Sequence, residues 1–450
     1  MSPKRTAWWL TGIVAVALIL RLWAIFVLLP KREYTPSYDA FQYNMLARSI
    51  VEGRGFAWPP GGNRHGFWAL PEGPTSTRAP LYPAFIAVIY KLCGEDNYTA
   101  VRIAQAVLGA LLCLIVYAIG TLWSSPRLGL LAAGMTAIYP PFIQFSYFGG
   151  PGRLLSEGLF MFLLAAALWQ ISRLVRDVTN RRAALGGGVL LGLSALARPI
   201  PTLFPGVLLV WTLFVPRPER RPWLRAVGLI TIAFILTLVP WAIRNYQVHH
   251  RFVLISTDQG HSFLLGNNEF ARGGAVEMHE VIKPKEIDPE GNLPEAERYH
   301  RLTLLGLKFW REHPEKLPKL FVRKILMLWN FYELRYNLWY GMLLPWVFLG
   351  ILVMWRGPNP LVHRLLIGTL LYATFVTVLT VGTTRCRYPF EPYLILFAAA
   401  GLAWWFQRSS LKWAAASAIM GGVAVNALLY QYSDQFLQFM RGTFQLVGLR

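Results

Sequence analysis

Few side chains in this sequence are equipped for chemistry, and most of those stand beside apolar runs. Asp39 lies in YTPSYDAFQYNMLARSIVEGRGF, residues 34–56. Arg78 lies in TSTRAPLYP, and Arg153 and Glu157 lie in YFGGPGRLLSEGLF. Arg244 ends the run PWAIRN, and Arg385 and Arg387 open GTTRCRYPFEP. Each has an ordinary structural reading. Asp39 stands where a helix N-cap belongs, and Gln42 three residues later completes a capping-box pattern. Glu157 in a first helical turn favours the helix dipole. An arginine at a membrane edge snorkels towards headgroups. Each also has a chemical reading. A carboxylate can take a proton from a hydroxyl. A guanidinium matches a phosphate through a bidentate fork. Tyr38, Tyr43 and Tyr82 can stack on a sugar ring, or belong to the interfacial aromatic belt.

The elements that must position these groups are membrane helices. The chain has 450 residues, 55% of them hydrophobic and only 15% charged, with a mean hydropathy of +0.39. A spanning helix needs about 20 apolar residues. About eleven segments qualify, near 7–29, 99–123, 128–148, 154–173, 184–199, 200–215, 225–245, 338–355, 361–382, 391–407 and 411–430. The N-terminal run is too long for a signal peptide and reads as an uncleaved anchor. The expected fold is an all-α polytopic membrane protein. Residues 1–245 form a membrane module whose first loop, 30–80, carries Asp39. Residues 246–337 form a mostly soluble segment, and 338–450 form the last helices and tail. Residues 39–52 read as an amphipathic helix with an apolar side of Phe41, Met45, Leu46, Ile50 and Val51, closed by Gly53 at C′. LYPAFIAVIYKLC reads as a short buried or interfacial helix, and RFVLIST as a strand-like run.

Charge placement sets the expected orientation. With a cytoplasmic N-terminus, the short inner loops hold Lys4, Arg5, Arg127, Arg173, Arg176, Arg181, Arg182, Arg217, Arg220, Arg221, Arg225, Arg356, Arg364, Arg408 and Lys412, against only Asp177 and Glu219. That obeys the positive-inside rule. Both long polar segments then face the exterior or periplasm, across a plasma or bacterial inner membrane. A formal net charge of +21 invites a nucleic-acid reading, but most of its excess sits in the loops that set topology, and no nucleic-acid motif accompanies it. Three cysteines at unrelated spacings give no disulfide framework or zinc pattern, and eight histidines show no ligand spacing.

The ordered set SYDAFQYNMLARSIVEGRGF, STRAPLYP, GLSALARP, PWAIRNYQV…LISTDQG…LLGNNEFARGG and RYPFEPYL resembles the C-type (GT-C) glycosyltransferases of family 39. That group includes protein O-mannosyltransferases and lipid A aminoarabinose transferases. The resemblance covers roughly residues 7–407. It implies transfer of a sugar, with inversion, from a polyprenyl-phosphate donor to a hydroxyl or phosphate acceptor on a lipid, glycan or protein at the outer membrane face. It assigns Asp39 to the acceptor side, with Glu157 as the other acid. Chemistry of that kind needs cations at the departing phosphate and a base on the opposite face of the sugar. Arg78, Arg244, Arg385 and Arg387 are the candidate phosphate ligands. Ala40 follows Asp39 where the family pattern is often Asp-Glu, so no metal-ligand set is assigned and a divalent-metal requirement stays open. The rival reading is a secondary transporter of a small polar solute, suggested by Arg21, Arg102 and Arg198 in or near apolar helices. No repeated halves with paired broken helices support it.

Overall fold

The computed structural model describes residues 2–28, 39–62, 71–147, 154–274, 276, 278–329 and 334–408. It is a helical protein. Helix α1, Pro3–Trp23, starts with Pro3 in its first turn and with the Ser2 hydroxyl accepting the Arg5 amide. It continues into a π turn, Ala24–Leu28. Helices α2, Asp39–Val51, and α3, Leu81–Cys93, pack on one another before the chain re-enters the bundle. Between them runs a two-residue antiparallel ladder, Ala57 opposite Pro74 and Trp58 opposite Gly73. Helix α4, Tyr98–Trp123, is capped by Asn97, and α5, Pro126–Ile138, by Ser125. Next come α6, Pro140–Tyr147, α7, Glu157–Arg173, and α8, Arg181–Ala197. Then follow α9, Phe204–Thr212, and the long α10, Arg217–His249.

Residues 250–329 carry α11, Gln259–Gly266, α12, Met278–Val281, α13, Pro284–Ile287, α14, Glu295–Glu312, and α15, Leu317–Leu328. The chain then returns through α16, Leu334–Met354, and α17, Pro360–Leu379. The short α18, Thr384–Arg387, leads into α19, Glu391–Arg408.

Four helices among the described residues are long and apolar enough to cross a membrane by length and composition: Pro3–Val27, Tyr98–Trp123, Arg217–His249 and Pro360–Leu379. Where sequence reading and structure differ, proline and backbone pairing explain it. The expected span 128–148 is broken into α5 and α6, because Tyr139 turns extended before Pro140 and a residue before proline avoids the helical region. The expected span 200–215 starts as a 3-10 turn, Ile200–Leu203, and α9 is nine residues long. RFVLIST forms no strand; its end, Thr257, instead donates its amide to the Ser76 carbonyl, 2.9 Å. The candidate span 411–430 lies outside the described residues. Helix α2 buries Ala40, Tyr43, Asn44, Leu46, Ala47 and Ser49, a face shifted from the expected apolar one. Asn44 explains the shift: its side-chain oxygen accepts the Tyr90 hydroxyl of α3, 2.6 Å.

Lipid is as apolar as leucine, so close packing and internal polar bonds, not hydrophobic burial, hold membrane helices together. Two glycine contacts show this. A Cβ at Gly188 of α8 would collide with the Ile230 carbonyl of α10. Gly350 of α16 and Gly401 of α19 meet backbone to backbone in the same way. The core around them includes Trp123, Phe160, Tyr393 and Phe397, all fully buried.

Candidate functional site

One end of the bundle gathers charge. Asp39 begins α2, and each of its carboxylate oxygens accepts a different guanidinium. Arg78 Nη2 reaches Oδ1 at 2.8 Å, and Arg385 Nη1 reaches Oδ2 at 3.0 Å. Arg385 also donates from Nε to Glu157 Oε1, 2.5 Å. The same oxygen pairs with Arg198 Nη1 at 2.7 Å. Arg78 further donates to Gln42 Oε1, 2.5 Å, and to Asp258 Oδ2, 3.3 Å. Three arginines therefore face three acids, drawn from α2, the loop before α3, α7, the end of α8, the segment before α11, and α18.

Exposure divides the acids. The Glu157 side chain is fully buried, whereas that of Asp39 is 30% exposed and that of Arg385 37%. Burial alone would raise the Asp39 carboxyl, but Arg78 and Arg385 hold it well below the usual carboxylate range. Burial would likewise depress Arg78, yet Asp39 and Asp258 hold it above its ordinary value.

Local structure explains the aim of each group. Helix α2 closes as a Schellman motif: Arg54 N–H reaches Ser49 O and Gly53 N–H reaches Ile50 O, with Gly53 at φ +80°. Arg198 precedes Pro199 and is extended, φ −149° and ψ 129°, as a pre-proline residue should be. That turns its side chain off the end of α8 towards Ser156 Oγ, 3.3 Å, and Glu157. Arg78 is held from behind. The preceding Thr75 and Ser76 bind Glu295 at the start of α14, by Thr75 Oγ1 at 2.5 Å and the Ser76 amide at 2.9 Å. Thr257 Oγ1 donates to the same carboxylate, 2.9 Å. Burial pushes the Glu295 carboxyl up, against those hydrogen bonds.

Of the four arginines singled out by sequence, Arg78 and Arg385 meet Asp39 and the other two do not. Arg244 Nη2 donates to the Phe56 carbonyl, 2.7 Å, and its Nη1 to the Thr75 carbonyl, 2.6 Å. Its guanidinium lies 4.8 Å from the Trp241 ring centroid. Arg387 is buried, pairs with Glu391 at 2.8 Å and lies 3.6 Å over the Tyr340 ring. Arg385 and Arg387 are two residues apart on a helical turn, so they face different ways. Tyr43 packs edge-on to Tyr82 at 4.9 Å, and both rings are buried. The Tyr43 hydroxyl is 3.3 Å from Ser156 Oγ. Tyr38 and Arg153 lie outside the described residues. Arg198 and Asp258 were missing from the sequence-derived site. Their signals were the arginine before Pro199 in GLSALARP and the acid in LISTDQG. The site's acids each face guanidinium cations, which does not fit a divalent ion, and among the described residues no group of three His, Cys, Asp or Glu could hold one.

Residues 77–243 match the family described as dolichyl-phosphate-mannose-protein mannosyltransferase. That stretch contains Arg78, Glu157 and Arg198. No curated protein matches the chain in sequence. The fold is similar to that of the oligosaccharyltransferase AglB from Archaeoglobus fulgidus, solved with an inhibitory peptide and a dolichol-phosphate. The TM-score is 0.60 at 15% identity, over 96% of this chain and 56% of that one. It is also similar to ArnT from Cupriavidus metallidurans bound to undecaprenyl phosphate. There the TM-score is 0.56 at 17% identity, over 93% of this chain and 63% of that one. The chain thus spans about half the length of AglB and under two thirds of ArnT. Its fold is that of these polytopic membrane proteins, the GT-C architecture that the ordered motifs resemble.

Proposed function

We propose that the protein is an inverting membrane glycosyltransferase that takes a sugar from a polyprenyl-phosphate donor. The carrying observation is the placement of Asp39 between two arginines that hold its two oxygens separately. Arg78 and Arg385 are the donor-phosphate ligands in this reading, and Asp39 is the base. The acceptor oxygen attacks the anomeric carbon on the face opposite the phosphate. The bond from that carbon to the phosphate oxygen breaks, its electron pair leaves with the phosphate, and the acceptor proton passes to Asp39. Buried Glu157 acts through Arg385 and Arg198, holding both for the developing charge.

The resting geometry has a further consequence for this mechanism. A carboxylate held between two guanidinium groups is a weak base, and efficient base catalysis wants a pKa nearer the working pH. An arriving phosphate competes with Asp39 for the same two arginines, so donor binding itself raises the basicity of Asp39. In this reading the site faces the exterior or periplasm, across the plasma or inner membrane, which the basic residues placed in the opposite loops by the sequence support. The acceptor is a hydroxyl or phosphate group on a lipid, glycan or protein. The dolichol-phosphate in the AglB structure and the undecaprenyl phosphate in the ArnT structure support a polyprenyl phosphate as the carrier.

The test is turnover by the full-length protein in liposomes. Sugar-loaded synthetic polyprenyl phosphates are offered with candidate acceptors, and released polyprenyl phosphate is measured. Solute uptake by the same liposomes without any release of polyprenyl phosphate would sink the proposal in favour of a carrier.

A further inference from the structure

Arg385 stands on a turn of four residues, Thr384–Arg387, and its side chain exchanges partners when a phosphate displaces Asp39. The backbone beneath it must then be held by other bonds. The chain reaches that turn from the end of α17, where the last carbonyls lack helical partners. Residues 250–329 bring donors to them. Lys324 Nζ of α15 donates to the Val378 carbonyl, 2.8 Å, and Asn267 Nδ2, just past α11, donates to the Leu379 carbonyl, 2.8 Å. The Gly382 amide then donates to the Gly273 carbonyl, 2.9 Å. At the far end of the turn, Arg387 Nη1 donates to the Leu328 carbonyl, 3.3 Å.

Asn267 is the hub of these contacts. It is fully buried, and both its donors and both its acceptor positions are in use. Nδ2 also donates to the Phe263 carbonyl, 2.7 Å, while Oδ1 accepts Trp310 Nε1 and Lys324 Nζ, both at 2.8 Å. Two glycines let the segments close on one another. A Cβ at Gly266 would collide with the Thr380 carbonyl, and one at Gly382 would come 2.5 Å from the Lys324 carbonyl. Lys324 is fully buried too, and burying an amine costs free energy that an apolar side chain would not. An apolar side chain, however, could not tie α15 to both Asn267 and the end of α17.

We infer that Asn267 and Lys324 are positioning residues for Arg385, forming a clamp through which residues 250–329 set the turn that presents its guanidinium to the donor phosphate. The inference rests on the reading of Arg385 as a phosphate ligand.

The full-length protein in detergent tests it, with Cys93 replaced by Ser so that two thiols remain. Cys386 is half-buried beside Arg385 on the turn, and Cys113 is buried in α4. Lys324→Met fills the space and cuts both bonds. It should speed maleimide labelling of Cys386 and leave that of Cys113 at the parent's rate. It should also weaken binding of farnesyl phosphate about fivefold, within the range of coupling between residues of one hydrogen-bonded network. In an Arg385→Gln background the same substitution should weaken binding no further. Asn267→Asp sets an oxygen against the Leu379 carbonyl and should act alike, which covers the case in which Lys324→Met does not fold. Parent-like labelling of Cys386 in both variants would overturn the inference. So would faster labelling of both thiols, which marks a general loosening, or an equal loss of binding with and without Arg385. Parent-like binding by both clamp variants, where Arg385→Gln binds weakly, would overturn it as well. If Arg385→Gln itself binds farnesyl phosphate as the parent does, the phosphate reading of Arg385 fails, while faster labelling of Cys386 alone still upholds the clamp.

Discussion

Replacing Asp39 by Asn changes one atom type at the centre of the cluster, and stability and turnover should then fall while phosphate affinity rises. The variant keeps an oxygen for one guanidinium and turns an N–H₂ towards the other. It therefore loses one charge-assisted hydrogen bond and weakens the second. Such bonds contribute about 1.5–3 kcal/mol each, and the low end applies because the Asp39 side chain is 30% exposed. A stability loss of about 1.5 kcal/mol is expected. Turnover should fall on the order of 10²–10⁴-fold, the usual loss when a general base is removed. Affinity for a polyprenyl phosphate should rise instead. Arg78 and Arg385 no longer face a competing carboxylate, and release of one bond of about 1.4 kcal/mol corresponds to roughly tenfold.

Thermal unfolding, turnover of a polyprenyl-phosphate sugar and binding of the free polyprenyl phosphate are measured on one preparation. The combination is diagnostic. A simple folding defect would lower turnover and binding together. Turnover equal to the parent's would mean that Asp39 only orders the arginines. Weaker phosphate binding in Asp39→Asn would refute the exchange of carboxylate for phosphate, and with it the assignment of Arg78 and Arg385.

Arg78→Lys or Arg385→Lys should weaken polyprenyl-phosphate binding by about tenfold through loss of the fork, whereas Arg387→Lys should act on stability, because its guanidinium pairs with Glu391; donor titration and unfolding on the same variants check both. Buried Lys324 of α15 donates to Asn267 Oδ1 and the Val378 carbonyl, both at 2.8 Å, and burial pushes its amine down to about 7. The unfolded chain then binds the extra proton between about pH 7 and 10, so stability should rise with pH across that window; an equal rise in Lys324→Met would assign the effect elsewhere. In a background with Cys93, Cys113 and Cys386 replaced by Ser, an impermeant thiol reagent should label Ala271→Cys in spheroplasts and spare Pro218→Cys. The reverse pattern would overturn the outward-facing site.

What the sequence discloses here is local, and what it conceals is phase and pairing. The C′ position of Gly53 was readable because a Schellman motif is written within six residues, and the bonds from Arg54 to Ser49 and Gly53 to Ile50 have that form. The break at Pro140 was equally local, yet the apolar run across it hid the break in a window of spanning length. Arg385 and Arg387 look equivalent in RCRYPFEP. A four-residue helix, Thr384–Arg387, turns one towards Asp39 and the other towards Glu391, and nothing in residue type decides which. Arg244 stands at a helix end like the others, but only the fold brings up the Phe56 and Thr75 carbonyls that claim it. Arg198 and Asp258 were passed over for a related reason: their partners, Glu157 and Arg78, are far away in sequence. The motifs therefore point to charges without saying which acid would meet which arginine. That pairing matters to the chemistry. An arginine bound to a carboxylate on the surface of the site can be drawn off by a phosphate, as proposed for Arg385 and Asp39. An arginine sealed against a fully buried acid and an aromatic ring, as Arg387 is against Glu391 and Tyr340, would have to give up a buried ion pair to do the same.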